Sequence, residues 1–345
     1  MQFRVLRTMA VLAWCGIARV AFAQPTTSPA VGSALSLPGL DTLAVLHDSA
    51  ADTAQRTLPP APPTPALSTL AGRSGKLRVH FLSALRHTLG LPILERYFGD
   101  SAMNRPGVYP VRDTSMVEPF SFVTLLPFAN KAGARMGDYR VGYWPAERRR
   151  ARSEVYENPD GFIVVTPDMA DMPVSEHFRL RDFLTHDQED VWPKYLVLRE
   201  EIIDKLELII DDLRAHGHRV DRLVVMSGFR TPAYNAEGVG RRGGRARDSR
   251  HQFGDAADIY VDNGSGQMAD LNGDGRIDSR DARVLLQSVD RVEAAHPELA
   301  GGAGVYRGTR MHGPFLHVDC RGEPARWAVT TGERLGRAKK KKKTA

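Results

Sequence analysis

Cysteine is nearly missing from this 345-residue chain, which has two, one of them Cys15 near the N-terminus. If that leader is removed, Cys320 stands alone and no intramolecular disulfide can form. The fold must then rest on its apolar core and on bound metals. Beyond the leader the chain also lacks a long apolar run, so no transmembrane span is expected. A basic body is missing as well. The formal charge is +6, but residues 1–23 hold three arginines and no acid, and residues 333–345 hold seven basic residues against one glutamate. The stretch 24–332 is left at a net −3. Charge confined to the ends argues against a basic face on a folded domain, so no nucleic-acid partner is expected.

At the N-terminus, Arg4 and Arg7 precede an apolar stretch at 9–17, and Ala21-Phe22-Ala23 offers a small-x-small cleavage site before Gln24. That is the pattern of a signal peptide over residues 1–23, so we expect an exported, periplasmic or extracellular protein associated with the cell envelope. Arg19 breaks the run well short of the ~20 apolar residues that a span needs. Residues 24–76 hold eight of the 22 prolines and read as a flexible Pro/Ala/Ser/Thr-rich linker. Residues 328–345 read as a basic disordered tail. The lysine run at 339–343 is a solvated end on the simplest reading and a contact to anionic envelope polymers on a sharper one.

Between these ends two regions differ in pattern. Residues 77–160 read as a small β-rich accessory domain of illegible role. The spacing at 77–98 suggests a helix or two, and 120–126 and 139–144 have the aromatic and β-branched content of strands. Residues 161–327 read as a second domain. It opens with a strand at 161–166 and a helix over 195–216, where Leu198, Ile202, Leu206, Ile209 and Leu213 recur at helical steps and Gly217 supplies the stop. Strands follow at 223–226, 257–261 and 315–319, with a helix at 282–295. The expected class is α+β, a small antiparallel sheet with flanking helices.

The segment 249–258 reads Ser-Arg-His-Gln-Phe-Gly-Asp-Ala-Ala-Asp. His251 on a loop and Asp258 on the next strand, with a turn at Gly254 between them, can converge on one ion. His317, in Phe-Leu-His-Val-Asp at 315–319, is the natural third ligand. Two imidazoles and a carboxylate with an open fourth position suit catalytic Zn²⁺. Strand alternation puts His317 and Asp319 on one face and Cys320 on the other, so Cys320 is expected in the core.

A third block, Ser-Gly-Phe-Arg-Thr-Pro-Ala-Tyr-Asn at 227–235, precedes these two, and Gly-Gly-Ala-Gly-Val-Tyr at 301–306 leads into the last. Together, in this order, they resemble the zinc D-alanyl-D-alanine carboxypeptidase/endopeptidase family of peptidoglycan metallopeptidases. That family shares its fold with lysostaphin-type enzymes and the hedgehog signalling domain. The resemblance covers residues 174–322. It implies that His251, Asp258 and His317 bind zinc, and that Arg230 holds a substrate carboxylate or polarises the scissile carbonyl. Ser249 and Asp319 would orient the histidines through their second ring nitrogens. For the general base, a related dipeptidase branch uses a glutamate three residues before the last histidine, where this chain has Pro314. Other members place a histidine five residues before it, which is His312 here; the competing reading is an ordinary loop histidine. The implied activity is hydrolysis of D-amino-acid-containing peptide bonds of peptidoglycan, as a carboxypeptidase or an endopeptidase. The alternative is a non-catalytic zinc-containing module that binds or scaffolds the cell wall.

A second metal site is written into 270–281, Asp-Leu-Asn-Gly-Asp-Gly-Arg-Ile-Asp-Ser-Arg-Asp. In a calcium loop Asp270, Asn272 and Asp274 supply side-chain oxygens, Gly275 the sharp turn, and Arg276 a backbone carbonyl. Asp278 contributes through water and Asp281 closes the loop. The terminal Asp resembles dockerin loops, which come in pairs, and this chain has one. A structural Ca²⁺ is expected to rigidify the connection after the Asp258 strand.

Overall fold

A computed structural model describes residues 70–83, 90–111, 118–240 and 244–329. The expected signal peptide, most of the linker and the lysine tail lie outside the described residues. The N-terminal part runs β1 (Val79–Leu82), α1 (Gly90–Phe98), α2 (Ser101–Asn104), β2 (Gly107–Val111), β3 (Phe120–Thr124), β4 (Leu126–Pro127), β5 (Arg135–Met136), β6 (Tyr139–Arg140) and α3 (Pro145–Arg148). Then come β7 (Gly161–Val165), β8 (Lys194–Leu196), α4 (Glu200–Ala215), β9 (Arg222–Ser227), α5 (Pro232–Glu237) and β10 (Ala256–Asp262). The chain closes with α6 (Ser279–Ala295), β11 (Gly302–Tyr306), β12 (Phe315–Asp319) and β13 (Ala325–Val329). Small sheets and a few helices make a mixed α/β fold, compatible with the α+β class. Among the described residues no helix is long and apolar enough to cross a membrane.

The sheet that matters for function has five strands in the order β13-β11-β12-β10-β9. All its pairings are antiparallel except β11 with β13. Asp258 on β10 lies opposite His317 on β12 and opposite Ser227 on β9. The β9–β10 register slips between Asp258 and Ile259, an irregularity of the kind that re-aims a side chain beside a site. Helix α6 packs against β11, β12 and α4. Three smaller sheets, β1-β3-β2, β4-β7-β8 and β5-β6, complete the fold.

One hydrophobic cluster draws on both sides of residue 160, from Leu77, Val123 and Trp144 through Phe162 and Leu206 to Ile259 and Leu316. A smaller one gathers Leu70, Leu82, Ile93, Leu94 and Phe122. Leu70 is buried, and Arg73 N and Ser74 Oγ donate to the buried carboxylate of Asp204 on α4. The linker expected to reach residue 76 therefore gives way to packed chain by residue 70. The helical expectation for 77–98 is likewise corrected: 79–82 pair in register with β3, and the helix starts at Gly90.

Helix α4 begins at Glu200 rather than 195, because Lys194–Leu196 pair with β7 as a strand and sheet pairing overrides the helical spacing. Glu200 and Glu201 then sit in the first turn, where carboxylates favour the helix dipole. Its apolar stripe is buried, and so are Asp204, Lys205 and Glu207, each of which must find partners. Lys205 Nζ donates to Glu293 Oε1 at 2.6 Å, Leu299 O at 2.9 Å and Asp319 O at 2.8 Å, tying α4 to the end of β12. Helix α6 starts at Ser279, ahead of the expected 282, because Asp278 caps it and Asp281 returns the bond in a capping box. Strands β11 and β13 escape sequence reading: the first is glycine-rich, and the second reaches Val329, two residues into the tail expected from 328.

Candidate metal centre

Local backbone brings the three candidate ligands together. His251 lies in a short 3₁₀ turn, Arg250–Phe253, that ends at Gly254 with φ +70°. A Cβ there would sit 2.4 Å from the Val197 carbonyl oxygen, so close approach and left-handed backbone both require glycine. The turn delivers the chain into β10, which carries Asp258 opposite His317. His251 Nε2 is 3.1 Å from His317 Nδ1 and 3.2 Å from Asp258 Oδ1, and His317 Nδ1 is 3.0 Å from the same Oδ1. Metal–ligand bonds of about 2.0–2.1 Å at tetrahedral angles place ligand atoms roughly 3.3 Å apart. The three atoms thus form the base of a tetrahedron of suitable size. All three residues are buried, and among the described residues no other set of three His, Cys, Asp or Glu side chains gathers in this way.

The outer bonds decide which ring nitrogens face inward. His251 Nδ1 donates to the Gly228 carbonyl at 2.6 Å, and His317 Nε2 meets Asp319 Oδ2 at 3.1 Å. With its second nitrogen engaged in this way, each ring when neutral turns an unprotonated nitrogen toward the other and toward a carboxylate, a donor set that could hold a metal ion. Burial, and then Arg230, lower the pKa of His251 from 6.5 to about 4. His317 moves the other way: burial opposes its charge, but Asp258 and Asp319 on either side outweigh that and raise it. Burial also works to raise Asp258, and His251, His317 and Arg230 overcome it and hold its carboxyl well below the usual range. Asp319, against its own desolvation, is kept ionised by Arg321 and His317. It also accepts Gly302 N at 2.7 Å, which locks the ring it orients.

The centre lies in a cleft of about 980 Å³ whose walls include Arg230, Ser249, Tyr306, His312 and Trp327. Arg230 donates through Nε to Ser227 Oγ at 2.9 Å and through Nη2 to Asp258 Oδ2. His312 Nδ1 donates to the Gly313 carbonyl at 2.8 Å, which leaves Nε2 as an acceptor. Asp319 stands where the sequence places it. Ser249 lines the cleft, but the second nitrogen of His251 belongs to Gly228, a backbone carbonyl that no side-chain motif announces. Cys320 packs on the main core, and burial pushes its thiol pKa up.

The 270–281 loop has a different character. Asp270 accepts backbone N–H groups from Gly273, Asp274 and Gly275, and Asn272 accepts from Asp274. Asp281 is buried and takes Leu271 N, Asn272 N and Asp278 N, while Arg280 pairs with Asp274 and Asp278. The side-chain oxygens order the turn, and its four aspartates do not converge as His251, Asp258 and His317 do.

Two wall residues were not among the sequence candidates. Trp327 on β13 lies with its ring centroid 5.3 Å from that of His317, and Tyr306 on β11 is stacked on Phe315. The Gly-Gly-Ala-Gly-Val-Tyr block at 301–306 carried a signal for Tyr306, and no motif announced Trp327. No family model, curated protein or solved structure matches this chain.

Proposed function

We propose that the chain is a zinc-dependent peptidase that hydrolyses D-amino-acid-containing peptide bonds of peptidoglycan, as a carboxypeptidase or endopeptidase, outside the cytoplasm. The observation that carries this reading is the open triangle of His251, Asp258 and His317 ligand atoms in a cleft that also holds Arg230 and His312. The resemblance of the three sequence blocks supplies the substrate class. Zinc in that triangle would contribute Lewis acidity and lower the pKa of water toward ~7.

The protein's own groups do the rest. His312 Nε2 accepts a proton from the attacking water as the new C–O bond forms and the carbonyl π pair moves to oxygen. It returns that proton to the amide nitrogen as the C–N bond breaks, leaving a carboxylic acid and an amine, and the acid's proton passes on to the amine to give carboxylate and ammonium. Arg230 Nε and Nη2 are committed to Ser227 and Asp258, so Nη1 is the donor available to the substrate carbonyl or carboxylate. Digestion of purified muropeptides followed by mass analysis tests the reading. Zinc-loaded wild type is expected to release D-amino acids or split cross-links, and His251→Ala to release nothing above background. A wild type that binds wall peptides without cutting them would favour the scaffolding module.

We further propose that the 270–281 loop takes Ca²⁺ and stiffens the connection from β10 to α6. Calcium titration of the metal-free protein should raise the melting temperature by several degrees, and Asp270→Ala should abolish the rise. A melting temperature and activity indifferent to calcium would end that idea.

A further inference from the structure

Tyr306 sits on β11 two residues beyond Gly304, and the register places Gly304 opposite His317 and Tyr306 opposite Phe315. Residues two apart on a strand share a face, so the phenol looks out beside the metal ligand. Two aromatic neighbours hold it. Its ring stacks on Phe315 with centroids 4.6 Å apart and planes at 4°. The indole of Trp327 fills the space that Gly304 leaves by having no side chain; a Cβ there would lie 2.1 Å from Nε1. From that position Trp327 Nε1 donates to the Tyr306 hydroxyl at 3.1 Å. An indole N–H can only donate, so the phenol oxygen accepts, and its own proton is left to give. Among the described residues nothing accepts that proton. Both rings face the cleft that holds the metal triad, Arg230 and His312.

We infer that Tyr306 is a catalytic electrophile: its O–H donates a hydrogen bond to the scissile carbonyl oxygen and to the tetrahedral oxyanion that replaces it. Trp327 is its positioning residue. The inference rests on the peptidase reading and adds a second donor beside Arg230. No proton is transferred from the phenol in this role. The hydroxyl is oriented before substrate arrives, so it pays no reorganisation when charge develops, which is the property that makes such donors effective. Trp327 ties this donor to the ring of His317, so ligand and electrophile are registered against each other through one side chain. A purely structural stack of Tyr306 on Phe315 would need neither the indole N–H nor the phenol O–H.

Tyr306→Phe keeps the stack and removes only the hydroxyl. The zinc-loaded full chain, wild type and variant, is compared in three measurements: zinc stoichiometry, hydrolysis of muropeptides, and calorimetric affinity for a dialkyl phosphinate, a tetrahedral oxyanion mimic, with acetate as the planar control. The expected result is unchanged zinc content, a kcat about 10²–10³-fold lower with little change in KM, and phosphinate binding weakened about ten- to hundredfold. Acetate should lose much less. Trp327→Phe should retain zinc and show part of the same phosphinate loss. Equal phosphinate affinity in wild type and Tyr306→Phe would overturn the inference, as would a wild type that binds no phosphinate. The two readings separate cleanly. Phosphinate loss in a protein that cuts no peptide sinks the peptidase and with it the catalytic role, leaving Tyr306 as an oxyanion-binding donor; unchanged phosphinate affinity in an active one leaves the peptidase and overturns Tyr306.

Discussion

Asp258→Ala protein is expected to fold and to come back without zinc. Three ligand atoms at 3.0–3.2 Å separations define the site, and removing the carboxylate leaves two imidazoles beside the Arg230 guanidinium. That cation, deprived of its partner, would then repel a divalent ion. A lost outer partner costs metal affinity about ten- to hundredfold. Asp319→Asn, which weakens only the bond to His317 Nε2, should fall in that range, whereas Asp258→Ala should exceed it by a further order of magnitude or more. Competition with a zinc-sensitive dye, with circular dichroism to confirm folding, measures both. Equal losses for the two variants would mean that Asp258 is not a ligand.

Arg250→Ala should be the most damaging single change outside the triad, destabilising the protein by about 3–5 kcal/mol. Arg250 and Asp255 are both essentially excluded from solvent and joined through Nε to Oδ1 at 3.0 Å and through Nη2 to Oδ2. The guanidinium also donates to Val155 O and lies over the rings of Phe253 and Tyr156. Burial pushes the Asp255 carboxyl upward despite the pairing, so this ion pair is costly to assemble and costlier to break. Losing one partner strands a buried charge; losing both does not. The double variant Arg250→Met, Asp255→Leu should therefore recover much of the deficit, a contrast that denaturant midpoints read directly. If the single and double variants were equally unstable, packing rather than charge would be responsible.

Much of the site was legible in the sequence because its chemistry is concentrated in side chains at fixed spacings. His251, Asp258 and His317 meet as their two motifs suggested, and the alternation that set Asp319 beside His317 and Cys320 behind it holds on β12. What could not be read depended on backbone and on partners far along the chain. The Gly228 carbonyl that sets the tautomer of His251 has no side chain to announce it. Strand β11 was hidden by its glycines, which a strand ordinarily avoids but which here make room for Trp327 and the end of β12. At the start of α4 the apolar spacing was right, yet Tyr195 and Leu196 were claimed by β7. Local pattern indicated a helix there, and non-local pairing decided otherwise.

The order of strands in the functional sheet bears on how the protein is made. Asp258 is carried on a strand whose two neighbours are β9, synthesised earlier, and β12, synthesised much later, with His251 and His317 66 residues apart. Behind His251, the support comes from still earlier chain: Trp144 donates to the Gln252 carbonyl, and Val155 accepts from Arg250. Beyond His317, Trp327 arrives later still. A growing chain that has passed Asp258 thus holds two of the three candidate ligands, and the centre can be assembled only once His317 has been synthesised. Metal loading, on this reading, would have to wait for β12.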